Sequence, residues 1–326
     1  MITPFYGEKN CQAFIQKSKL PCQNKAYFIS NQTLLCGVHS KKIENKQTLP
    51  INPNKAQIEE QKIQQMFSEI ENEAKLNQKN GKQGNVVIAK MLMMKQPNYK
   101  KGYLNVFPNF KHQHRKDGFG CCRLSPKSLG PVIHQMPHLP DSKNLENFHQ
   151  FSKFWKFELD ENNSIKEQYL QNRIKAYLND QPFRHKYDRQ TLLSTYNTNN
   201  KNNININIPQ FSMYYDQNGN EKRYNYIECR FFYCHFYEYL VQNETDYKEL
   251  KQKIKDGYNL QIVGYDGYPV IHDLYTHYLD ESKPFGHELV LYSMLVEENR
   301  LNYPWNIYYQ KYPEKYENVI TMDEKM

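Results

Sequence analysis

The sequence predicts an α+β fold, a mixed sheet with helices, together with a small zinc-stapled module at the amino terminus. Three observations support this prediction. A short apolar element at residues 86–94 and a predicted buried strand at 260–266 accompany stretches of helical periodicity. Three cysteines and a histidine lie within the first 39 residues. Aromatic side chains make up 14% of the chain, which argues against widespread disorder.

The 326 residues include 43 basic and 35 acidic side chains, which gives a formal charge of +8. This charge permits an anionic partner but does not require one. No apolar run approaches the roughly 18 residues of a membrane helix, and the amino terminus lacks the apolar core of a secretory signal. We therefore expect an intracellular protein, cytoplasmic or nuclear, with no membrane partner. Its seven cysteines should be reduced, and the adjacent Cys121 and Cys122 also argue against a disulfide framework.

The chain divides by composition into four predicted segments. These are a zinc module (1–42), a helical linker (43–85), an α+β domain (86–310) and a tail (311–326). Apolar residues at three- and four-residue spacing predict an amphipathic helix in the linker: Ile63, Met66, Phe67, Ile70 and Ala74. Within the α+β domain, the Asn-rich run 197–207 predicts a long polar loop.

The zinc module is predicted from the spacing of Cys11, Cys22, Cys36 and His39, which is C-x10-C-x13-C-x2-H. The two residues between Cys36 and His39 let a sulfur and an imidazole nitrogen reach one tetrahedral ion. A module this short cannot build a large core, so a metal cross-link would give it a reason to fold. Four protein ligands leave no open coordination position, which makes the zinc structural. Alternatively, the cysteines are small buried hydrophobic residues.

Lysines surround the predicted zinc ligands. They are Lys17, Lys19, Lys25, Lys41 and Lys42. Such a group suits contacts with phosphates of a nucleic acid. It is equally consistent with a solvated fringe on a structural module. A second metal site built from His112, His114, Cys121 and Cys122 is disfavoured by the irregular spacing of these residues.

Residues 144–155 predict a helix that Asp141 or Ser142 could cap. At 100° per residue, three apolar side chains share one face: Phe148, Phe151 and Trp155. Three polar side chains cluster on the opposite face at i, i+4 and i+7: Glu146, Gln150 and Lys153. Taken alone, this polar row is typical of a solvated helix face.

The E-x3-Q-x2-K spacing after Leu124 and Ser125 resembles the NADAR (NAD and ADP-ribose-associated) family of N-glycosidases. The resemblance implies that a Leu-Ser loop precedes a helix whose polar row lines a glycosidic pocket. It carries over to Ser125, Glu146, Gln150 and Lys153. Residues 124–153 also look like uncharacterised proteins of large DNA viruses and phages. The aromatic-Asn-Phe element expected near the loop is replaced by Pro126, and the run 107–110, Phe-Pro-Asn-Phe, comes too early to replace it.

If this pocket exists, the residues suit N-glycoside cleavage, which passes through an oxocarbenium-like state. Glu146 would stabilise positive charge or activate water. Lys153 would hold a phosphate or, with a lowered pKa, act as acid, base or nucleophile. Gln150 would orient sugar hydroxyls, and Ser125 would contribute to substrate binding.

The carboxy-terminal part adds candidate site residues. Asp266 ends a predicted strand, a position that usually faces a ligand crevice, and it is also typical of a turn. His287 opens a predicted apolar helix over 289–296 and could neighbour Asp266, or simply bond to backbone there. Arg230 and Tyr233 share a predicted helix and could bind phosphate and base. The alternative for that helix is core aromatics with one Arg that extends to solvent.

Two functions therefore stand as expectations. The first is an N-glycosidase that acts on an ADP-ribosylated, nucleotide or nucleic-acid substrate, with Glu146, Lys153 and Asp266 as catalytic residues around one concavity. The second is a non-catalytic, zinc-containing protein that binds nucleic acid or assembles a complex. In the second case the polar row would be fully solvated, and one continuous basic surface would join four residues: Lys17, Lys41, Lys111 and Arg115.

Overall fold

The computed structural model describes most of the chain in eight stretches: 5–16, 18–50, 52–92, 98–134, 136–185, 189–194, 208–316 and residue 319. It divides into two compact units, Met1–Ser68 and Glu69–Met326. The fold is α+β, as predicted. The predicted polar loop 197–207 and the end of the predicted tail lie outside the described residues, as does Lys17. In the stretches that are described, no helix is both long and apolar enough to cross a membrane.

The first unit contains a small antiparallel sheet of order β2-β1-β3, formed by β1 (Phe28–Ser30), β2 (Thr33–Leu35) and β3 (Gln47–Thr48). Ala26, Leu34 and Leu49 pack together as its core. The three cysteines of the predicted zinc module form a separate buried cluster in this unit. The long helix α1 (Pro53–Lys79) contains the predicted amphipathic stretch, and the division between the units falls inside it.

The second unit combines seven described strands with helices. Its strands are β4 (Val86–Lys90), β5 (Tyr103–Phe107), β6 (Phe119–Gly120), β7 (Lys153–Phe154), β8 (Phe211–Tyr215), β9 (Glu221–Tyr224) and β10 (Asn259–Gly264). Its described helices after α1 are α2 (Leu145–Phe151), α3 (Glu167–Tyr177), α4 (Arg189–Ser194), α5 (Arg230–Val241), α6 (Thr245–Lys255), α7 (Leu274–Leu279), α8 (His287–Val296) and α9 (Pro304–Lys311).

A four-stranded parallel sheet of order β4-β10-β5-β6 forms the centre of this unit. Strand β10 pairs in parallel with β4 on one side and with β5 on the other. Its residues from Leu260 onward are buried, as expected for a strand covered on both faces. Because all these strands run in the same direction, the segments that follow Lys90, Phe107 and Gly264 emerge at one edge of the sheet.

A second, antiparallel sheet of order β7-β8-β9 corrects the predicted helix over 144–155. Helix α2 ends at Phe151, and Lys153 lies on β7, opposite Ser212 of β8. The helix ends because the backbone beyond it bonds to β8: the Met213 N–H donates to the Ser152 carbonyl at 2.8 Å. The predicted N-caps Asp141 and Ser142 were also wrong. Asn144 is the cap, and its side chain accepts the Asn147 N–H at 2.9 Å.

The other helix predictions in the second unit are confirmed. Helix α8 covers the predicted apolar helix and begins at His287, directly after Gly286. Helix α5 includes Arg230 and Tyr233 and is buried over most of its surface, since it packs against α2, α8 and α9. A helix that is apolar on nearly all sides belongs in a core. This buried helix therefore supplies a rigid support for the residues that precede and follow it.

Asn147 fastens α2 to the segment that follows α3. Its amide nitrogen lies 3.0 to 3.1 Å from the carbonyls of Ala176, Asn179 and Gln181. Its amide oxygen accepts the Phe183 N–H at 3.0 Å. The side chain is fully buried, so these groups have no alternative partners in water.

We expect Asn147→Ala to lower the free energy of unfolding by about 3 kcal/mol, because it leaves several buried backbone groups unpaired. Urea unfolding followed by fluorescence of Trp155 and Trp305, both buried in the second unit, measures this change. The exposed Asn162→Ala is the matched control and should change stability by less than about 0.5 kcal/mol. Equal stability of the two variants would contradict the assigned role of Asn147.

Candidate functional site

The first unit brings Cys11, Cys22, Cys36 and His39 together, with one ligand atom from each lying within 4.8 Å of all the others. The three cysteines are buried, and His39 is half-buried. The Cys22 and Cys36 sulfurs are 3.9 Å apart. His39 Nδ1 lies 3.4 Å from the Cys11 sulfur and 3.3 Å from the Cys36 sulfur.

These separations match the edges of a coordination tetrahedron. Metal–ligand bonds of about 2.3 Å to sulfur and 2.0 Å to nitrogen place two sulfurs about 3.8 Å apart, and a sulfur and a nitrogen about 3.5 Å apart. The four residues can therefore hold one metal ion with little rearrangement. They leave no position for a substrate, so an ion bound there would be structural.

The local backbone favours a thiolate at Cys36. Burial raises the pKa of its thiol, but the N–H groups of His39 and Val38 and the side chains of His39 and Asn24 outweigh that effect and lower the pKa to about 6. At Cys22 the backbone N–H group of Asn24 does not offset burial, so the pKa of the Cys22 thiol is raised. A thiolate is the form that binds metals.

The second unit contains a cavity of about 370 Å³. It lies at the carboxyl edge of the parallel sheet, where Asn109 follows β5 and Asp266 follows β10. All eight residues that the sequence assigned to a catalytic or substrate-binding role line this one cavity: Ser125, Glu146, Gln150, Lys153, Arg230, Tyr233, Asp266 and His287.

The polar row of the predicted helix faces this cavity and is not fully solvated. Glu146, Gln150 and Lys153 are each half-buried. Glu146 and Gln150 are one turn apart on α2, whereas Lys153 reaches the same cavity from β7 because side chains alternate along a strand, with Phe154 directed into the core. Burial lowers the pKa of Lys153, although the Cys229 thiol and the Glu146 carboxylate oppose that shift.

Two carboxyl groups meet where β10 and α8 approach each other. Asp266 is half-buried, and Glu288 is only 1% exposed. Burial, reinforced by the charge of Glu288, raises the pKa of Asp266. Burial also raises the pKa of Glu288 to about 7, against the opposing effect of nearby backbone N–H groups.

His287 lies beside these carboxyl groups and also bonds to backbone, as the alternative interpretation predicted. Its Nε2 lies 3.2 Å from the Pro108 carbonyl, which can only accept, so Nε2 carries the proton. Burial lowers the pKa of His287 to about 4. The imidazole is therefore neutral at pH 7, and its Nδ1 is a hydrogen-bond acceptor.

Arg230 and Tyr233 line the cavity from α5, but their polar atoms are used differently. The Arg230 guanidinium donates to the backbone carbonyls of Tyr278, Asp280 and Lys283. Arg230 thus joins α5 to the end of α7. It is only 5% exposed, so it does not extend to solvent as the alternative for this helix expected. The Tyr233 ring lies against His149, with ring centroids 4.3 Å apart, and burial raises its pKa well above the usual value.

Several polar or aromatic lining residues were not assigned to the site from the sequence. Among them are Asn109, Phe110, Lys111, His112, Arg184 and Glu288. The Phe-Pro-Asn-Phe run comes too early in the chain to be predicted as the aromatic element of the site. Asn109 and Phe110 nevertheless line the cavity, because they directly follow β5. Glu288 follows a predicted site residue directly and was interpreted only as part of a helix start. No local pattern marks Arg184.

The rim of the cavity is cationic and aromatic, while its acidic groups lie deeper. Phe110 is 42% exposed and Tyr265 is 45% exposed. Lys111 and Arg184 are exposed beside them. The disfavoured second metal site is not formed: in the part of the chain that the structure describes, His112, His114, Cys121 and Cys122 make no grouping with metal-ligand spacing.

Comparison with known proteins gives no matching family model, no matching curated protein and no matching solved structure.

We expect the purified chain to carry one metal ion per molecule and Cys36→Ser to carry none, because Cys36 is a central ligand of the cluster. Elemental analysis by mass spectrometry measures the stoichiometry. Cys122→Ser, a half-buried cysteine outside the cluster, is the matched control and should retain the ion. Metal retained by Cys36→Ser would overturn the assignment of the cluster.

Proposed function

We propose that the second unit is an N-glycosidase of the NADAR type that acts on an ADP-ribosylated or nucleotide substrate. The observation that supports this proposal is the convergence of Ser125, Glu146, Gln150, Lys153 and Asp266 on one cavity. Sequence patterns alone mark these residues, and they come from three separate parts of the chain.

The cavity has the charge distribution that an ADP-ribose-like ligand requires. A base can stack on the exposed rings of Phe110 or Tyr265 at the rim. Lys111 and Arg184 lie at the same rim and can bind a diphosphate, Arg184 in bidentate fashion. The ribose then extends toward the carboxyl groups inside. A volume of about 370 Å³ accommodates part of such a ligand and leaves the rest at the rim.

The proposed reaction is hydrolysis of the bond between the sugar C1 and a nitrogen. The C1–N bond breaks, its electron pair leaves with the nitrogen, and positive charge develops on the sugar ring. Glu146 stabilises this charge and removes a proton from the attacking water. The departing nitrogen receives a proton from Asp266, whose raised pKa suits a general acid.

Lys153 serves as the substrate-holding cation of the cavity. Burial lowers its pKa, while Cys229, Glu146 and Asp266 oppose that shift. In its protonated form the Lys153 amine can donate to sugar hydroxyls or to a phosphate. Gln150, one turn after Glu146, orients the same hydroxyls.

We infer that the metal of the first unit is zinc, since three sulfurs and one imidazole in a tetrahedral arrangement are typical zinc ligands. Its role is to stabilise the fold of this unit. The elemental analysis of the wild-type chain also identifies the ion, and a different predominant metal would contradict this inference.

A non-catalytic protein that binds nucleic acid or assembles a complex is the second candidate. Exposed lysines near the metal cluster favour it, including Lys19, Lys41 and Lys42. Of the four residues expected to form one basic surface, Lys17 lies outside the described residues, and Arg115 is paired with Asp117 at 2.5 Å. Lys111 lines the cavity.

We expect Glu146→Gln to reduce glycosidase turnover of an ADP-ribosylated substrate by about 10³-fold, because the amide cannot act as a base or balance the developing charge. The melting temperature should stay close to the wild-type value, since Glu146 lies off the apolar face of α2. Glu161→Gln, at an exposed carboxylate outside the cavity, is the control. An active Glu146→Gln enzyme would refute the catalytic assignment.

We expect free ADP-ribose to bind saturably and Lys153→Ala to weaken this binding at least tenfold, which corresponds to a loss of about 1.4 kcal/mol. Isothermal titration calorimetry measures both affinities. Lys175→Ala, an exposed lysine on α3, controls for the change in net charge. If the wild-type chain binds no ADP-ribose but binds nucleic acid with a strong salt dependence, the second candidate function is correct.

A further inference from the structure

Two glycines make room for the buried carboxyl group of Glu288. A methyl group added to Gly264, at the end of β10, would lie 2.0 Å from Glu288 Oε1. A methyl group added to Gly286, before α8, would lie 3.1 Å from Glu288 Oε2 and 3.0 Å from Asp266 Oδ2. Gly286 has φ −81°, which any residue adopts, so its backbone does not require glycine. Glycine is required at this position because a side chain would crowd the two carboxyl groups.

Burial disfavours a negative charge on Glu288, and the backbone N–H groups of Glu288, Asp266 and Tyr265 only partly oppose that effect. Its Oε2 is buried and has no hydrogen-bond partner among the described residues. His287 Nδ1 lies 3.2 Å from this oxygen. Burial keeps the His287 ring neutral, and its one proton lies on Nε2 toward the Pro108 carbonyl, so Nδ1 presents a lone pair. Two acceptors at this distance repel unless a proton lies on one of them.

Asp266 is the second acidic group at this point, and both carboxyl groups border Gly286. Two carboxyl groups that share one site do not ionise together readily, because the first charge opposes the second. Asp266 is half-buried and open to the cavity, whereas Glu288 lies almost entirely below it. A proton held by the pair is therefore delivered to a ligand through Asp266.

We propose that Asp266 and Glu288 hold one proton between them at neutral pH and form the acid of the cavity, with Glu288 as the positioning residue that supplies Asp266 with that proton. The proposal deepens the N-glycosidase function and rests on it for the fate of the proton. The pairing of the two carboxyl groups is itself independent of that function.

Other ionisable groups also face the pair, from every element around it. They are His287 of α8, Glu146 of α2, Lys153 of β7, Tyr233 and Tyr237 of α5, Lys90 of β4, Lys127 and Arg184. The two tyrosines have strongly raised pKa values and His287 a lowered one, so all three are neutral near pH 7. The cations favour one ionised carboxyl group, and burial of Glu288 favours one protonated group.

The proposed step balances in atoms and charge. The C1–N bond breaks, and the pair transfers its proton through Asp266 to the departing nitrogen, which leaves the pair with two negative charges. Water adds its oxygen to the sugar C1, and its proton passes to Glu146. Transfer of that proton from Glu146 back to Asp266 restores the pair. No oxidant, reductant or further reactant takes part.

The proton can be detected directly by infrared spectroscopy of the full chain at pH 6, 7 and 9. A protonated carboxyl group absorbs apart from ionised ones. We compare the wild type with Glu288→Gln, and use Glu281→Gln, at an exposed carboxylate outside the cavity, to subtract the effect of the amide itself. We expect a carboxylic acid band at pH 6 and 7 that fades by pH 9 and is absent from Glu288→Gln. Absence of this band from the wild type would overturn the proposal.

Activity supplies the second readout. In Glu288→Gln the proton is no longer shared and Asp266 must hold it alone, so the alkaline limb of the rate profile should move down by about one pH unit or more. Glu281→Gln should leave the limb in place. A Glu288→Gln limb at the wild-type position would assign Glu288 a merely structural role and overturn the proposal.

The two readouts separate the possible failures. Wild-type protein that hydrolyses no ADP-ribosylated substrate, yet shows the acid band and loses it in Glu288→Gln, would refute the N-glycosidase function and support the carboxyl pair. Wild-type turnover without an acid band would support the N-glycosidase function and refute the carboxyl pair. If Glu288→Gln fails to fold, Gly286→Ala replaces it, since the added methyl group pushes the two carboxyl groups apart and should produce the same loss of the band.

Discussion

The position of β10 between β4 and β5 determines where the cavity of the second unit lies. Parallel pairing on both sides of this buried strand fixes its register, so Asp266, two residues beyond its end, emerges beside the segment that follows β5. The beginning of α8 covers the same edge, and Gly264 allows the Glu288 carboxyl group to approach the strand end. Backbone hydrogen bonds of one central strand thereby place two carboxyl groups and the Asn109–Phe110 pair around one space.

The opposite wall depends on a different constraint, the buried side chain of Asn147. Its bonds to the segment after α3 hold α2 in place, which directs Glu146 and Gln150 toward the cavity and brings Arg184 to the rim soon after Phe183. Pairing of β7 with β8 then fixes Lys153 on the same wall. The two walls come from distant parts of the chain, and the buried helix α5 supports them both.

Local sequence patterns predicted the α+β class, the apolar helices, the strand before Asp266 and the metal cluster, because each depends on residues close together in the chain. The end of α2 could not be predicted in this way, since it depends on hydrogen bonds between Ser152 and a strand some 60 residues later. For the same reason, the position of Asn109 and Arg184 at the cavity could not be predicted. It is set by sheet pairing and by the hydrogen bonds of Asn147. Lys153 was assigned to the correct face for the wrong reason: strand alternation, not helical periodicity, directs it there.

Burial acts on the cavity groups in one direction, toward neutrality. It lowers the pKa values of Lys153 and His287 and raises that of Glu288. The pair Arg115 and Asp117 behaves in the opposite way, since each partner stabilises the charge of the other against the cost of burial. A structural ion pair explains shifts of the second kind. A pKa shift toward the neutral form arises where a buried ionisable group lacks an adequate partner. Such unpaired groups lower stability, and they are typical of sites that transfer protons or bind a charged ligand. The non-catalytic alternative requires a solvated polar face on α2 and β7. Such a face would show neither kind of pKa shift.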